Sequence, residues 1–245
     1  MADTLELLLI PFLTGLLVLA GHVPLGREVL RRGIIFIDLC IAQVAALGLI
    51  VADRLQIAEP LAGVVAAAAA VGTGLLLSWT EPRFRHLQEA IIGSVYVVSA
   101  AVVMLLLAGD PHGAEALDRL LAGQLLWVSW TDLQLLAGAT ALVIVAELAG
   151  WLQRRAVFYV LFALAVTASV SLIGVFLVFA SLVLPALAAN GARRALRLAL
   201  CTGGIGYAAG LLLSLQLDLP AGPAVICALA SLAVLVMLVR RSRGS

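Results

Sequence analysis

The chain has 245 residues, of which 64% are hydrophobic and 12% charged, and its mean hydropathy is +1.17. A soluble domain draws only about half of its residues from the apolar class, so this composition excludes a soluble globular protein and leaves no expectation of a nucleic-acid partner. The net charge of +1 identifies no partner by itself; the placement of the charges carries the information.

The N-terminus, MADTLELLLIPF, places Asp3 and Glu6 before its first apolar run and no basic residue there. A cleavable signal peptide has the opposite polarity, so this run reads as a retained first helix. Runs long enough to cross a bilayer fall near 5–23, 34–51, 61–79, 90–108, 132–149, 157–173, 175–189, 198–215 and 223–239. The expectation is an all-α polytopic integral membrane protein with about nine transmembrane helices. They form a single transmembrane domain over residues 1–245, with no room for a separate soluble domain.

His22 precedes Val23 and Pro24 at the predicted end of the first run, a place for a capping or interfacial side chain. The second run, FIDLCIAQVAALG, holds Asp38, Cys40 and Gln43 among aliphatics. A carboxylate at a helix centre costs about 2.5–3.5 kcal/mol on insertion scales, and such residues usually face a protein interior or a water-filled path. Asp38 therefore reads either as a functional residue, with Cys40 a soft ligand in principle, or as one member of an ion pair with Arg31 or Arg32. Gln43 lies roughly 140° further around the helix, so the two side chains do not share one stripe. Gln43 reads as an interhelical hydrogen-bonding group or as a ligand. Cys40, Cys201 and Cys227 all lie within apolar runs, where a thiol is a small hydrophobe.

His86 sits beside Arg85 at a predicted surface, and His112 lies in the acidic stretch GDPHGAE, where it reads as solvated. Between 109 and 131, Leu117, Leu120, Leu121 and Leu125 have the spacing of one helical face, and Trp127 and Trp130 suit a membrane–water boundary. A short surface helix before the fifth span is expected. Glu147, near the end of that span, has Arg154 and Arg155 as potential partners. Gly174, between two apolar stretches, predicts a tight reversal.

Alternate loops carry thirteen of the fifteen arginines: Arg27, Arg31 and Arg32; Arg83 and Arg85; Arg154 and Arg155; Arg193, Arg194 and Arg197; and Arg240, Arg241 and Arg243. The other loops hold Arg54 and Arg119 beside Asp53, Glu59, Asp110, Glu115, Asp118 and Asp218. By the positive-inside rule the N-terminus is outside, the C-terminus is cytoplasmic, and the number of spans is odd. Every basic residue is arginine, because the chain has no lysine; a Walker A loop needs one on the nucleotide phosphates. The chain also has no Ser/His/Asp arrangement, no His-Glu-x-x-His and no Gly-rich phosphate loop, so no catalytic residue is assigned and no enzymatic activity is expected.

Four stretches, PLGREVLRRGIIFIDLCIAQVAALG (24–48), LLAGQLLWVSWTDL (120–133), GVFLVFASLVLPALAANGARRALRLA (174–199) and LDLPAGPAVICALA (217–230), resemble the permeases of zinc/manganese/iron ABC importers, the zinc-uptake permeases in particular. The resemblance covers nearly the whole chain. Its most specific parts are Asp218-Leu-Pro-Ala-Gly-Pro223 and the segment around Pro185, in which Gly174, Pro185, Asp218, Pro220, Gly222 and Pro223 would shape backbone turns.

The resemblance implies a bacterial-type inner-membrane protein that works as a dimer with a second copy of itself, surrounded by lipid. An ABC ATPase subunit would consume ATP, an extracytoplasmic binding protein would deliver the divalent metal, and this chain would bind no cofactor of its own. Residues 186–197, with Asn190, Arg193, Arg194 and Arg197, would form a cytoplasmic coupling helix for the ATPase. The family commonly carries Asp-x-x-x-His in the second span as metal ligands. Counted without gaps from Pro24, Gln43 stands at the histidine position and Leu39 at the aspartate position, with Asp38 displaced by one. A carboxamide is a weaker zinc ligand than imidazole. At 151–161 the connection is also shorter than the family's usual cytoplasmic one. Two other classes fit the sequence: a gradient-driven secondary transporter or channel working through Asp38, and an ABC permease for a metal chelate.

Overall fold

The computed structural model describes residues 2–243, with the side chains of residues 2–7, 59, 60 and 243 outside that description; Asp3, Glu6, Glu59 and Arg243 are among these. The elements in chain order are α1 (Ala2–Arg32), α2 (Ile37–Arg54), α3 (Glu59–Thr80), α4 (Gln88–Leu107), α5 (Gly113–Ala122), α6 (Trp130–Leu148), α7 (Arg155–Ala188), α8 (Ala195–Leu217) and α9 (Ala221–Arg243). Two single 3-10 turns, Leu125–Trp127 and Trp151–Gln153, precede α6 and α7.

Among the described residues, seven helices are long and apolar enough to cross a membrane. Two features raise the number of passes to nine. Helix α2 carries Asp38, Asp53 and Arg54, which take it out of a purely apolar class, yet it packs between α3, α4 and α7 as the others do. Helix α7 is broken at Gly174, whose φ of 77° and ψ of 162° are not helical. The break divides it into α7a (155–173) and α7b (175–188), the latter about 21 Å long at 1.5 Å per residue. The two halves run back toward one side: Leu152 and Gln153, just before α7a, line the same groove as Ala186 and Asn190 at the end of α7b. The reversal expected at Gly174 is therefore present.

Burial decides which helices form the centre. Of their apolar windows, 67% of α7 and 56% of α1 are buried within the protein, against 17–22% for α3, α4, α6 and α9. The peripheral helices leave Val97, Leu105, Leu135 and Leu235 exposed, as lipid-facing side chains are. In lipid, helices associate through close packing rather than apolar burial. Gly26 illustrates this, since a Cβ there would stand 2.1 Å from the carbonyl oxygen of Leu182. Pro24, in that same stretch, does not end α1 as the sequence suggests. The helix runs on to Arg32 with both Pro11 and Pro24 inside it, as membrane helices tolerate when neighbours resatisfy the freed backbone groups.

The loops with the arginine clusters, all but those of Arg54 and Arg119, meet at one end of the bundle. There Arg32 bonds Glu28 at 2.6 Å and Glu81 at 3.4 Å, and Arg155 reaches Glu81 at 3.2 Å. At the opposite end α5 lies beside a cavity of about 900 Å³, whose lining includes Asp53, Arg54, Asp110, Glu115 and Ser171. Helix α5 is the expected short surface helix: Leu117, Leu120 and Leu121 are half-buried and Leu125 is buried, while Trp127 and Trp130 are exposed. Asp218 caps α8 at this end in a left-handed conformation (φ 52°). Pro220 precedes α9 and Pro223 sits in its first turn, where no amide hydrogen is needed.

Candidate functional site at the arginine-rich face

The end of α7b, the turn after it and the start of α8 hold Asn190, Arg193, Arg194 and Arg197. Residues 186–197 do not form one helix. Helix α7b stops at Ala188, Gly191 takes a left-handed conformation (φ 72°), and α8 starts at Ala195. The physical reason is local: a left-handed residue cannot continue a right-handed helix. Asn190, Arg193, Arg194 and Arg197 are all exposed, and the three arginines make no ion pair among the described residues.

This turn forms one wall of a groove of about 520 Å³. The opposite walls come from Arg27, Glu28 and Arg31 of α1, Glu147 of α6, and Gly150, Leu152 and Gln153. Glu147 pairs with Arg27 at 3.3 Å rather than with Arg154 or Arg155, because the end of α6 packs against α1. The short 151–161 connection is held firmly. Gly150 takes a left-handed conformation, Leu152 is buried, and Arg32 donates to the carbonyls of Leu152 and Gln153 at 3.4 and 3.1 Å. The Arg32 guanidinium also lies 4.6 Å from the centroid of the Phe158 ring, a cation–π arrangement.

Asp38 lies in the first turn of α2, wholly buried, and neither carboxylate oxygen has a hydrogen-bond partner. It forms no ion pair with Arg31 or Arg32. Arg31 bonds Glu28 at 2.7 Å, and Arg32 is occupied by Glu28 and Glu81. Gln43 is 6% exposed and its side chain makes no hydrogen bond among the described residues. Asp38 and Gln43 share a helix without converging. Among the described residues no three His, Cys, Asp or Glu side chains gather as a metal site.

Sequence reasoning missed the polar ties inside the bundle. His22 is not a terminal residue but a buried one within α1, its Nδ1 3.0 Å from the Val18 carbonyl and its Nε2 3.1 Å from Ser169 Oγ in α7a. Gln88 donates to the Leu77 carbonyl and to the Tyr159 hydroxyl, at 3.0 and 3.3 Å, and accepts from Thr80. Ser181 and Tyr207 join α7b to α8 at 2.7 Å. His86 and His112 stay at the surface, the latter 3.8 Å from Glu115.

The architecture matches known proteins. The structure is similar to PsaBC from Streptococcus pneumoniae, solved in complex with Fab, with a TM-score of 0.74 and 18% identity over 96% of this chain and 94% of that one. It is also similar, with a TM-score of 0.54 and 16% identity over 94% of this chain and 75% of the other, to a transporter assigned to the metal-chelate ABC type, solved in an inward-facing conformation. At these identities the likeness establishes the fold. No curated protein matches the sequence. The model of the ABC 3 transport family matches residues 4–153 and 151–240, nearly the whole chain. Together with the motifs at 24–48, 174–199 and 217–230, this match makes the chain a member of the ABC 3 transport family, a multi-pass membrane permease subunit.

Proposed function

We propose that this chain forms the translocation path for a divalent transition metal (zinc, manganese or iron) as a homodimer in a bacterial-type plasma membrane. The arginine-rich face lies in the cytoplasm and the N-terminus outside. ATP is bound and hydrolysed by separate ATPase subunits, and an extracytoplasmic binding protein supplies the metal on the side of the 900 Å³ cavity. The α7b–α8 turn presents Arg193, Arg194 and Arg197 to an acidic rim on the ATPase, with the neighbouring groove receiving part of that partner.

The observation that carries this reading is the turn itself: three exposed arginines, without an ion pair among the described residues, beside a groove, on 245 residues whose lack of lysine leaves no Walker A loop among them. Replacing Arg193 and Arg194 together with Glu should abolish co-purification with the ATPase while leaving the permease folded. Retention of a stable complex would refute the docking assignment.

Within the path, Asp38 is the group we assign to the metal. An unpartnered buried carboxylate persists in a membrane helix at a cost, and a rearrangement of α2 that uncovers it gives that cost a use. Gln43 supports a second reading, transport of a metal chelate, because its carboxamide suits hydrogen bonding to an organic ligand better than zinc coordination. Competition of uptake by free zinc, manganese and iron separates the two, since a chelate permease is indifferent to all three.

A further inference from the structure

Helix α7b is short and weakly anchored along the chain. At one end it is cut from α7a by Gly174, and at the other it runs into a turn whose own bonds are few: Ala189 to Pro185 at 3.2 Å, Asn190 to Leu187 at 3.1 Å and Ala192 to Ala189 at 3.0 Å. The last carbonyls of any helix lack intrahelical donors; here amides of the turn reach those of Pro185 and Leu187, and a side chain from another helix reaches that of Ala188, the last residue. Arg240, in the last turn of α9, donates from a single Nη1 to the carbonyl of Ala188 at 2.7 Å and to that of Asn190 at 3.0 Å. Its two acceptors straddle the junction between α7b and the turn.

An arginine near helix C-terminal carbonyls is common and favourable to the helix dipole. This one differs in its reach. It comes from a different transmembrane helix, and it holds the second residue of the α7b–α8 connection, Asn190, together with the last residue of the helix, Ala188. The neighbouring arginines divide into two kinds. Arg193, Arg194 and Arg197 are exposed and make no ion pair among the described residues, while the Arg240 side chain is committed to the protein's own backbone.

We infer that Arg240 is a positioning residue that latches the α7b–α8 turn to α9, so that a push delivered to the turn moves α7b and α9 together instead of deforming the turn. The inference rests on the docking role of Arg193 and Arg194 proposed above. The latch holds the turn through the junction, and the arginines beyond it make the contact. Without the latch the partner still binds, but its stroke is spent in bending the turn around Gly191.

The test uses the permease co-purified with its ATPase, reconstituted in liposomes with its binding protein, and assayed with manganese and with zinc for metal transported per ATP hydrolysed. Arg240→Gln should co-purify as the wild type does and hydrolyse ATP within twofold of it, while metal transported per ATP falls at least fivefold. Arg240→Lys, whose ammonium still donates to carbonyls at the helix end, should recover at least half of the loss. Unchanged transport per ATP in Arg240→Gln would overturn the inference. So would failure of Arg240→Lys to recover activity, or a variant that cannot be purified folded, since either is the behaviour of a purely structural cap. The Arg193→Glu, Arg194→Glu chain is the parallel arm. If it keeps the complex intact, the docking reading fails first. If it loses the complex while Arg240→Gln transports normally, the latch alone is refuted.

Discussion

Gly123 and Gly174 meet backbone to backbone. A Cβ on Gly123 would stand 2.1 Å from the Ile173 carbonyl carbon, and one on Gly174 would stand 2.3 Å from the Gly123 nitrogen. Gln124 donates to the Leu172 carbonyl at 3.0 Å across the same crossing, and a Cβ on Gly222 of α9 would face the Ala122 carbonyl oxygen at 2.9 Å. The strap after α5 thus lies over the point where α7 reverses and against the start of α9, so a shift of α7b bears on the segment beside the 900 Å³ cavity.

Gly123→Ala should destabilise the protein by about 3 kcal/mol, from overpacking against α7 and a left-handed φ of 69° that a side chain resists. Gly63→Ala and Gly138→Ala, where a Cβ meets nothing within 4 Å, should be neutral or slightly stabilising. Thermal unfolding in detergent checks this; equal midpoints for all three would contradict the crossing.

Arg32→Ala should cost about 2 kcal/mol, because it takes one of two arginine partners from buried Glu28 and from half-buried Glu81 and frees two carbonyls before α7. Arg32→Lys should recover only part of that, since an ammonium lacks the planar fork that reaches several acceptors at once. The measurement is again the unfolding midpoint. Full recovery by lysine would mean that charge alone accounts for the cluster.

Ser169→Ala removes the hydroxyl 3.1 Å from His22 Nε2 and should cost about 1 kcal/mol. The same substitution in a His22→Ala background should cost less, the difference being the coupling between α1 and α7a. Additive effects in that double-mutant cycle, read by thermal unfolding, would show that the pair does not interact.

Much of this architecture is legible from residue order. Alternate arginine clusters mark loops that do gather at one end, the Gly174 break marks the reversal, and the leucine spacing at 117–125 marks α5. Three features escape because they depend on neighbours in space. Pro24 reads as a helix end, yet packing by α7b and α6 carries α1 past it and buries His22. The resemblance implies one helix over residues 186–197, but the left-handed Gly191 breaks it, and Arg240, from α9, caps the junction. Asp38 reads as a potential partner for Arg31 and Arg32, but Glu28 and Glu81 occupy those cations, and nothing in local order identifies Glu81 as a competitor across 49 residues.

Asp38→Leu should separate function from stability. Removing a buried carboxylate that has no partner is expected to stabilise the fold by roughly 2 kcal/mol, while metal uptake falls at least tenfold. A lower unfolding midpoint with intact uptake would identify Asp38 as structural instead.

The account depends above all on a path that works only when a separate ATPase acts on the α7b–α8 turn. Metal uptake into liposomes holding the permease, measured with and without the ATPase subunit and ATP, tests this most directly. Uptake should require both and should vanish when Arg193 and Arg194 are replaced by Glu. Uptake by the permease alone, driven by an ion gradient without nucleotide, would contradict it.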